Sequence, residues 1–212
     1  MTRLTTTRPP FLPVAPQEYE PRFHNQHSDV LRLYFNQLDN TLSSVLAPRG
    51  GKWLDFPYGA IQRTTDKSFT ANTATQITFD TNDFLNGMAN DGTDGIAVEQ
   101  SGIYNYQFSV QIRNTDSQIH SAWIWLRINN VDVAGTGSKF DVTEKHGGID
   151  GFIIAACNFY VELQAGDTVE MWAAVNNTAV TFDATAAQTS PFVMPSIPSV
   201  VATLSFVSNV PT

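Results

Sequence analysis

The loop from Asp80 to Gly95, DTNDFLNGMANDGTDG, has the richest supply of metal-ligating oxygen atoms in this sequence. Asn90, Asp91 and Asp94 could bind Ca²⁺, because carboxylate and amide oxygens are its preferred ligands. The loop lacks the regular acidic spacing and the closing glutamate of an EF-hand. Asp, Asn and Gly are also the residues that build exposed turns. We therefore expect no cofactor, with Ca²⁺ at this loop as the open alternative.

Other residue types that could support catalysis are scattered along the chain. His24 and His27 stand close together, but no acidic or cysteine partner completes a ligand set at metal spacing. Cys157 is the single cysteine, and its apolar surroundings, FIIAACNFYV, are typical of a buried small side chain. No G-x-S-x-G nucleophile motif occurs. The sequence predicts a protein that is not an enzyme.

Charge is unevenly distributed and limits the classes of partner. Residues 1–52 carry six Lys+Arg and four Asp+Glu, which gives +2, and residues 53–212 carry six and sixteen, which gives −10. An acidic body disfavours nucleic acid, since phosphate binding needs clustered Lys and Arg. No apolar run approaches the roughly 18 residues of a membrane span. The first residues lack the pattern of a signal peptide, so we expect assembly in a cytoplasm.

Alternating apolar residues predict that the second part of the chain is all-β. In IYNYQFSVQIRN, every second residue from Tyr104 to Ile112 is apolar, which places these side chains on one face of a strand. In AWIWLRIN, Ile124, Leu126 and Ile128 share one face and the tryptophans share the other. Turn signals such as INNVDVAG and QAGD separate these runs. Many short strands indicate an antiparallel sandwich or jelly roll.

A proline-rich segment and an amphipathic helix precede the β-rich region. Five of the eleven prolines lie in residues 1–22, which favours an extended arm. Ser28 resembles an N-cap, and Pro48 would end the helix. The predicted organisation is an arm over 1–27, a helix over 28–47, a linker over 48–59 and a jelly roll over 60–212. The arm is either a disordered tail or a particle anchor, in which case the anchoring residues are Leu4, Phe11, Leu12 and Val14.

The helix carries a heptad-like seam of apolar residues. The seam consists of Leu31, Phe35, Leu38, Leu42 and Val45. Spacing of this kind packs helices side by side, although two heptads are marginal alone. The helix therefore has two interpretations. It packs on the β-rich domain of its own chain, or it packs against copies of itself as a short oligomeric stalk. We favour the stalk.

Three blocks of the β-rich region resemble the complement globular-head and tumour-necrosis-factor superfamily. They are GIYNYQFSVQIRN, AWIWLRINNVDVA and FYVELQAGDTVEMWAAV, the last containing the Leu-x-x-Gly-Asp hairpin motif at Leu163. Asn130 stands where the family often has glycine, and asparagine tolerates the same left-handed turn. The resemblance covers residues 95–207. It implies a jelly roll of about ten strands that forms a compact homotrimer.

The abundance of large aromatic residues supports the same interpretation. They exceed what one small sandwich core would need, and surplus aromatic surface is typical of an interface. We therefore predict that the trimer interface contains Tyr104, Tyr106, Phe108, Trp123, Trp125, Phe159, Tyr160 and Trp172.

The order of segments also resembles small virion proteins of tailed bacteriophages, including those of marine cyanobacteria. The chain begins with a proline-rich segment, continues with RLYFNQLDNTLSSVLAPRGG and ends with the predicted trimeric jelly roll. The resemblance implies a homotrimeric capsid cement or decoration protein of the virion. Its arm would bind the major capsid protein or other virion subunits. The alternative is a short fibre or receptor-binding module that recognises the host surface.

Overall fold

The computed structural model describes residues 10–14, 16–46, 56–90 and 95–210. It divides the chain into two compact units, Met1–Asp55 and Phe56–Thr212. Leu4 of the predicted anchor lies outside the described residues, as do Asp91 and Asp94 of the candidate calcium loop.

The first unit contains one helix, α1, which spans Pro21–Leu46. The predicted start at Ser28 is therefore wrong by seven residues. Proline is favourable at the first position of a helix, because its fixed φ suits the helix and the missing N–H needs no partner there. Pro21 thus begins the helix, and the arm is correspondingly shorter than predicted.

The apolar face of α1 is wider than the predicted seam. Leu31 and Leu38 are half-buried, whereas Phe35 and Leu42 are each at least 50% exposed. The side chain of Val45 lies outside the described residues. Further half-buried side chains line the same side of the helix, namely Phe23, His27, Val30 and Tyr34. Part of the predicted seam is therefore not covered by the first unit itself.

The second unit is built from antiparallel strands in two sheets, which confirms the predicted all-β antiparallel sandwich. The described residues contain thirteen strands: β1 Tyr58–Arg63, β2 Thr75–Ile77, β3 Thr81–Asn86, β4 Met88–Ala89, β5 Ile96–Val98, β6 Gly102–Asn114, β7 His120–Ile128, β8 Val131–Asp132, β9 Ser138–Val142, β10 Gly151–Leu163, β11 Thr168–Val175, β12 Val180–Phe182 and β13 Val200–Ser208. Several of them are only two or three residues long, which accounts for the excess over the predicted ten or so.

The strands form two sheets. The first sheet has the order β10-β6-β13-β1-β3, with β12 also paired to β6. The second has the order β4-β5-β11-β7-β8, with β2 paired to β11 and β9 to β7. The core lies between the sheets and includes Ile61, Val110, Leu126, Met171 and Leu204.

Strand β6 shows how the alternation of the sequence becomes packing. Every second residue from Gly102 to Asn114 is buried, and the residues between them are half-buried or exposed. The strand pairs with β10 along its full length and with β13 on its other side. The predicted shared face from Tyr104 to Ile112 is confirmed, and it is the face that lies against the core.

The Gly166-Asp167 turn joins β10 to β11, which lie in different sheets. The predicted hairpin is therefore wrong, and the segment is a corner between the two layers. Gly166 has φ of 93°, a backbone conformation that favours glycine. Oxygen Oδ2 of Asp167 accepts a 2.8 Å hydrogen bond from the Gln164 amide, and Oδ1 accepts one of 2.7 Å from Asn129 Nδ2. Asp167 thus ties the corner to the neighbouring turn.

That neighbouring turn joins β7 to β8 through Asn129 and Asn130. Their φ values are 51° and 66°. Positive φ at both central residues is required by the tight hairpin turn that matches the twist of two strands, and asparagine tolerates it better than most residues. Asn130 therefore adopts the left-handed conformation expected from the sequence.

The approach of Thr143 to Gly151 leads to a stability prediction. A Cβ atom at Gly151 would overlap the carbonyl oxygen of Thr143, whereas one at Gly137 would meet nothing within 4 Å. We expect Gly151→Ala to lower the free energy of unfolding by about 1–3 kcal/mol, the usual cost of overpacking. Gly137→Ala, the control, should change it by less than about 0.5 kcal/mol. Urea unfolding checks both values, and equal stability of the two variants would contradict the close approach.

Candidate functional site

The eight aromatic residues predicted for an interface occupy three different places. Tyr104, Tyr106 and Phe108 are buried in the core of their own chain. Phe159 packs against that core, with its ring centroid 6.3 Å from the ring centroid of Phe108. The prediction of Tyr104, Tyr106 and Phe108 as interface residues is therefore corrected, because their own chain already covers them, whereas Phe159 is half-buried and stays a prediction. The other four, Tyr160, Trp123, Trp125 and Trp172, lie on the outward faces of the two sheets.

Tyr160 belongs to an uncharged surface on the first sheet, which we call the neutral face. It comprises the outward side chains of three neighbouring strands: Asn105, Gln107, Ser109 and Gln111 of β6, Phe152, Ile154, Ala156, Asn158 and Tyr160 of β10, and Val201, Thr203 and Ser205 of β13. The charged residues Arg113 and Glu162 stand at opposite ends of its strands.

Large apolar side chains on the neutral face remain exposed. Phe152, Ile154 and Tyr160 are 53%, 66% and 67% exposed on the outward side of β10, which stands at the end of the strand order and pairs with β6 along its full length. Sequence reasoning missed Phe152 and Ile154. The available signal was the unbroken apolar run of β10, because a strand with one face in the core shows such a run only if its other face is also apolar.

The centre of the neutral face is concave. A depression of about 500 Å³ is lined by the outward residues Gln107, Ser109, Ala156, Asn158, Val201 and Thr203. Their side chains form two cross-strand rows, one through Ala156, Ser109 and Val201 and the next through Asn158, Gln107 and Thr203. The row of Ala156, Ser109 and Val201 has short side chains, and it leaves the depression beside the larger residues of β10.

The second sheet has a chemically different outward surface, which we call the tryptophan face. Trp123 and Trp125 of β7 and Trp172 of β11 lie there, and Trp125 pairs directly with Trp172 across the strands. Carboxylates hold two of the indoles in place. Trp125 Nε1 donates a 2.7 Å hydrogen bond to Asp132, and Trp172 Nε1 donates one of 2.8 Å to Glu170.

Two cations complete the tryptophan face. The Arg127 guanidinium lies 3.9 Å from the ring centroid of Trp172, and its Nε donates a 2.6 Å hydrogen bond to Asp132. Lys139 Nζ lies 5.9 Å from the ring centroid of Trp123 and forms a 2.9 Å ion pair with Asp141. Both positions are within the range of cation–π attraction.

These contacts set the charge state of the face. The hydrogen bond from Arg127, followed by that from Trp125, lowers the pKa of Asp132. Hydrogen bonds from Ser121 and then Lys139 lower the pKa of Asp141. Both groups are therefore ionised at neutral pH and face the cations of their own chain.

The residues that could support metal chemistry are dispersed. No group of three His, Cys, Asp or Glu side chains in the described ranges could hold a metal ion. In the candidate calcium loop, the carboxylate of Asp80 accepts hydrogen bonds from Thr64, Thr65 and Thr81. His120 Nε2 lies 2.7 Å from Asp116, and this hydrogen bond lowers the pKa of the aspartate.

The described part of the arm presents apolar side chains to solvent. Phe11 is 92% exposed, and Leu12 and Val14 are also exposed large hydrophobic residues. Cys157 is half-buried on the core side of β10, 3.4 Å from the hydroxyl of Ser138. None of the helices among residues 10–14, 16–46, 56–90 and 95–210 is long and apolar enough to cross a membrane.

The hydrogen bond from Arg127 leads to a prediction for the pKa of Asp132. Because the folded pKa of Asp132 is below its unfolded value, the pair stabilises the fold above the unfolded pKa and is lost as the pH falls through the folded pKa. We expect Arg127→Gln to raise the Asp132 midpoint toward about 3.9, the ordinary value for aspartate. Carbon-13 NMR of the carboxyl groups measures this midpoint.

The matched control is Lys139→Gln, which should raise the midpoint of Asp141 and leave that of Asp132 in place. An unchanged Asp132 midpoint in Arg127→Gln would contradict the pairing.

Comparisons with known proteins give a likeness at the level of structure. The sequence matches no protein-family model and no curated protein. Among solved structures, the globular domain of a zebrafish complement 1qA protein is similar over 73% of this chain and 99% of that chain. The two are 10% identical, with a TM-score of 0.42.

Proposed function

We propose that this chain is a non-enzymatic structural protein whose sandwich forms a homotrimer through the neutral face. The exposure of Phe152, Ile154 and Tyr160 on the outward side of β10 is the observation that carries the proposal. Interface centres are depleted in charged residues and rich in aromatic ones. The neutral face has this composition, whereas the tryptophan face of the same chain contains five charged side chains that pair with each other or with indoles.

The shape of the neutral face supports a ring rather than a twofold dimer. Two copies of a concave surface placed face to face would leave a void, and voids forfeit contact energy. The depression instead suits a different, convex part of a neighbouring copy. Such a head-to-tail contact forms a closed ring when the rotation from each copy to the next adds up to a full turn. The smallest ring with this contact contains three copies.

The helix supports oligomerisation independently. Phe35 and Leu42 are exposed beside the half-buried Leu31 and Leu38. A helix in water normally buries such a stripe. Parallel copies of α1 would cover it by the side-by-side packing that heptad spacing favours.

We further propose that the trimer is a virion component that attaches through its arm, as a capsid cement or decoration protein. The exposed Phe11, Leu12 and Val14 support an anchoring role, because each could occupy an apolar pocket on a shell subunit. Three arms on one trimer would raise the effective concentration of each after the first has bound. Weak contacts would then hold neighbouring shell subunits together. A receptor-binding fibre is the second candidate, and the tryptophan face favours it.

The trimer proposal predicts the effect of placing a charge on the neutral face. We expect Ile154→Asp to convert the trimer to folded monomers at micromolar concentration, because burying an unpaired carboxylate is costly. Val193→Asp is the control, since Val193 is also highly exposed but lies in a loop. Sedimentation equilibrium gives the masses, and circular dichroism verifies the fold. A monomeric wild type, or an Ile154→Asp variant that remains trimeric, would refute the interface.

The attachment proposal predicts the effect of removing the arm. Deletion of residues 2–20 stops before the helix begins at Pro21, so the variant should sediment as the wild-type trimer. We expect it to be missing from purified virus particles that incorporate the full chain, as measured by quantitative mass spectrometry. A version with Phe11→Ser and Val14→Ser tests the apolar contact alone. Full incorporation of the deletion variant would contradict anchoring by the arm.

A further inference from the structure

We propose that the tryptophan face binds a neutral, pyranose-containing saccharide, with Trp123 as the main stacking platform. This inference goes beyond the assembly function and does not depend on it. It rests on the placement of Trp123, Trp125 and Trp172, three of the four tryptophans of the chain, on one side of the second sheet.

The exposed ring of Trp123 is the centre of this surface. Trp123 is 37% exposed, and its cross-strand partner on β11 is Ala174. The small alanine leaves a step beside the Trp123 ring. Trp125 follows two residues later on the same side of β7, so that the step lies next to the Trp125–Trp172 pair. A flat ligand that lies over Ala174 would contact aromatic surface at more than one position.

The aromatic rings are fixed before any ligand arrives. Asp132 holds Trp125 by its Nε1, Glu170 holds Trp172 by its Nε1, and Arg127 stacks on the ring of Trp172. Glu170 itself accepts a 3.0 Å hydrogen bond from the Asn130 amide, which connects it to the β7–β8 turn. A braced surface loses little side-chain freedom on binding, and this improves the affinity for weak ligands.

The chemistry of a pyranose matches what these residues leave available. The C–H bonds of a sugar ring carry partial positive charge and form a flat apolar face that packs on the electron-rich face of an indole. Its hydroxyl groups both donate and accept hydrogen bonds. At the rim, Asp141 and Asp132 offer exposed carboxylate oxygens, and Lys139 offers an exposed ammonium group.

The charges on the tryptophan face select against other ligands. Asp132, Asp141 and Glu170 supply three negative charges, against two positive charges from Arg127 and Lys139 that are already paired. Sulfated or uronic-acid saccharides would meet repulsion without a free cation. A second copy of this chain that bound here would remove water from the same ion pairs. This desolvation is costly unless the lost hydrogen bonds to water are replaced by bonds to the second copy. An uncharged amphipathic ligand avoids both costs.

The experiment uses the full chain on an array of neutral and acidic oligosaccharides that includes maltohexaose, cellohexaose and chitohexaose. We expect binding to neutral glycans, with quenching or a shift of tryptophan fluorescence when the best of them is titrated. Trp123→Ala should weaken that binding at least about tenfold, whereas Trp123→Phe should retain part of it. Phe192→Ala is the control, because Phe192 is also exposed but lies in a loop outside the sheet.

Each other outcome overturns the proposal. Absence of binding to every glycan on the array does so, as does a Trp123→Ala variant that binds as tightly as the wild type. Binding restricted to acidic glycans would contradict the charge argument. Sedimentation of Trp123→Ala distinguishes loss of glycan binding from failure of the assembly function. A change of oligomeric state in this variant would make the tryptophan face an interface between copies. Ile154→Asp should bind the array glycan with unchanged affinity per site.

Discussion

The period-two alternation of β6 is the constraint on which the rest of the structure depends. This strand lies between β10 and β13, and its buried residues from Tyr104 to Ile112 supply much of the core on the side of the first sheet. A slip of one residue in its register would turn Tyr104, Tyr106 and Phe108 outward together. It would also place Gln107 and Ser109 in the core without partners, where each unsatisfied polar group would cost free energy. The register is therefore strongly specified.

The same register decides what each sheet presents outward. Because core and outward residues alternate, the choice that buries Phe108 also places Gln107 and Ser109 on the neutral face, beside Asn158 and Ala156 of β10. On the second sheet, burial of Ile124 and Leu126 leaves Trp123 and Trp125 outside. One sheet thus carries an uncharged concave surface, and the other carries aromatic rings braced by ion pairs. Two surfaces of such different composition suit two different kinds of partner.

Sequence patterns predicted reliably which side chains share one face of a strand. They predicted less reliably which of the two faces packs in the core. The faces of β6 and β7 follow directly from alternation, and the left-handed Asn130 follows from its place in a turn. The assignment of Tyr104, Tyr106 and Phe108 to an interface was wrong, because a count of aromatics does not reveal how much volume a core can hold. The paired sheets decide that volume, and their spacing depends on contacts far apart in the chain.

Local ambiguity explains the remaining differences. Proline is compatible both with an extended arm and with the first position of a helix, so its presence alone did not place the start of α1 at Pro21. Gly-Asp likewise suits any tight turn, and only the pairing of β10 with β6 and of β11 with β7 reveals a corner between sheets. In the candidate sites, the run FIIAACNFYV contained the signal for an exposed apolar face at Ile154. The pairing of Trp172 with Arg127 had no sequence signal, because it joins side chains 45 positions apart in the chain.

Trimer formation through the neutral face would strengthen saccharide binding by the tryptophan face. The neutral face belongs to the first sheet and the tryptophan face to the second, so a trimer whose head-to-tail contact joins the neutral face to a patch outside the tryptophan face would leave the aromatic surface free. Three tryptophan faces would then be held at fixed separations on one trimer. Single saccharide contacts on an open sheet are weak, because few groups of the ligand are buried. Simultaneous attachment at two or three sites makes the later contacts intramolecular, and avidity can then exceed the single-site affinity by about 10²–10⁴-fold when the geometry permits it. The assembly would thereby convert a surface that is marginal in one chain into an effective binding surface.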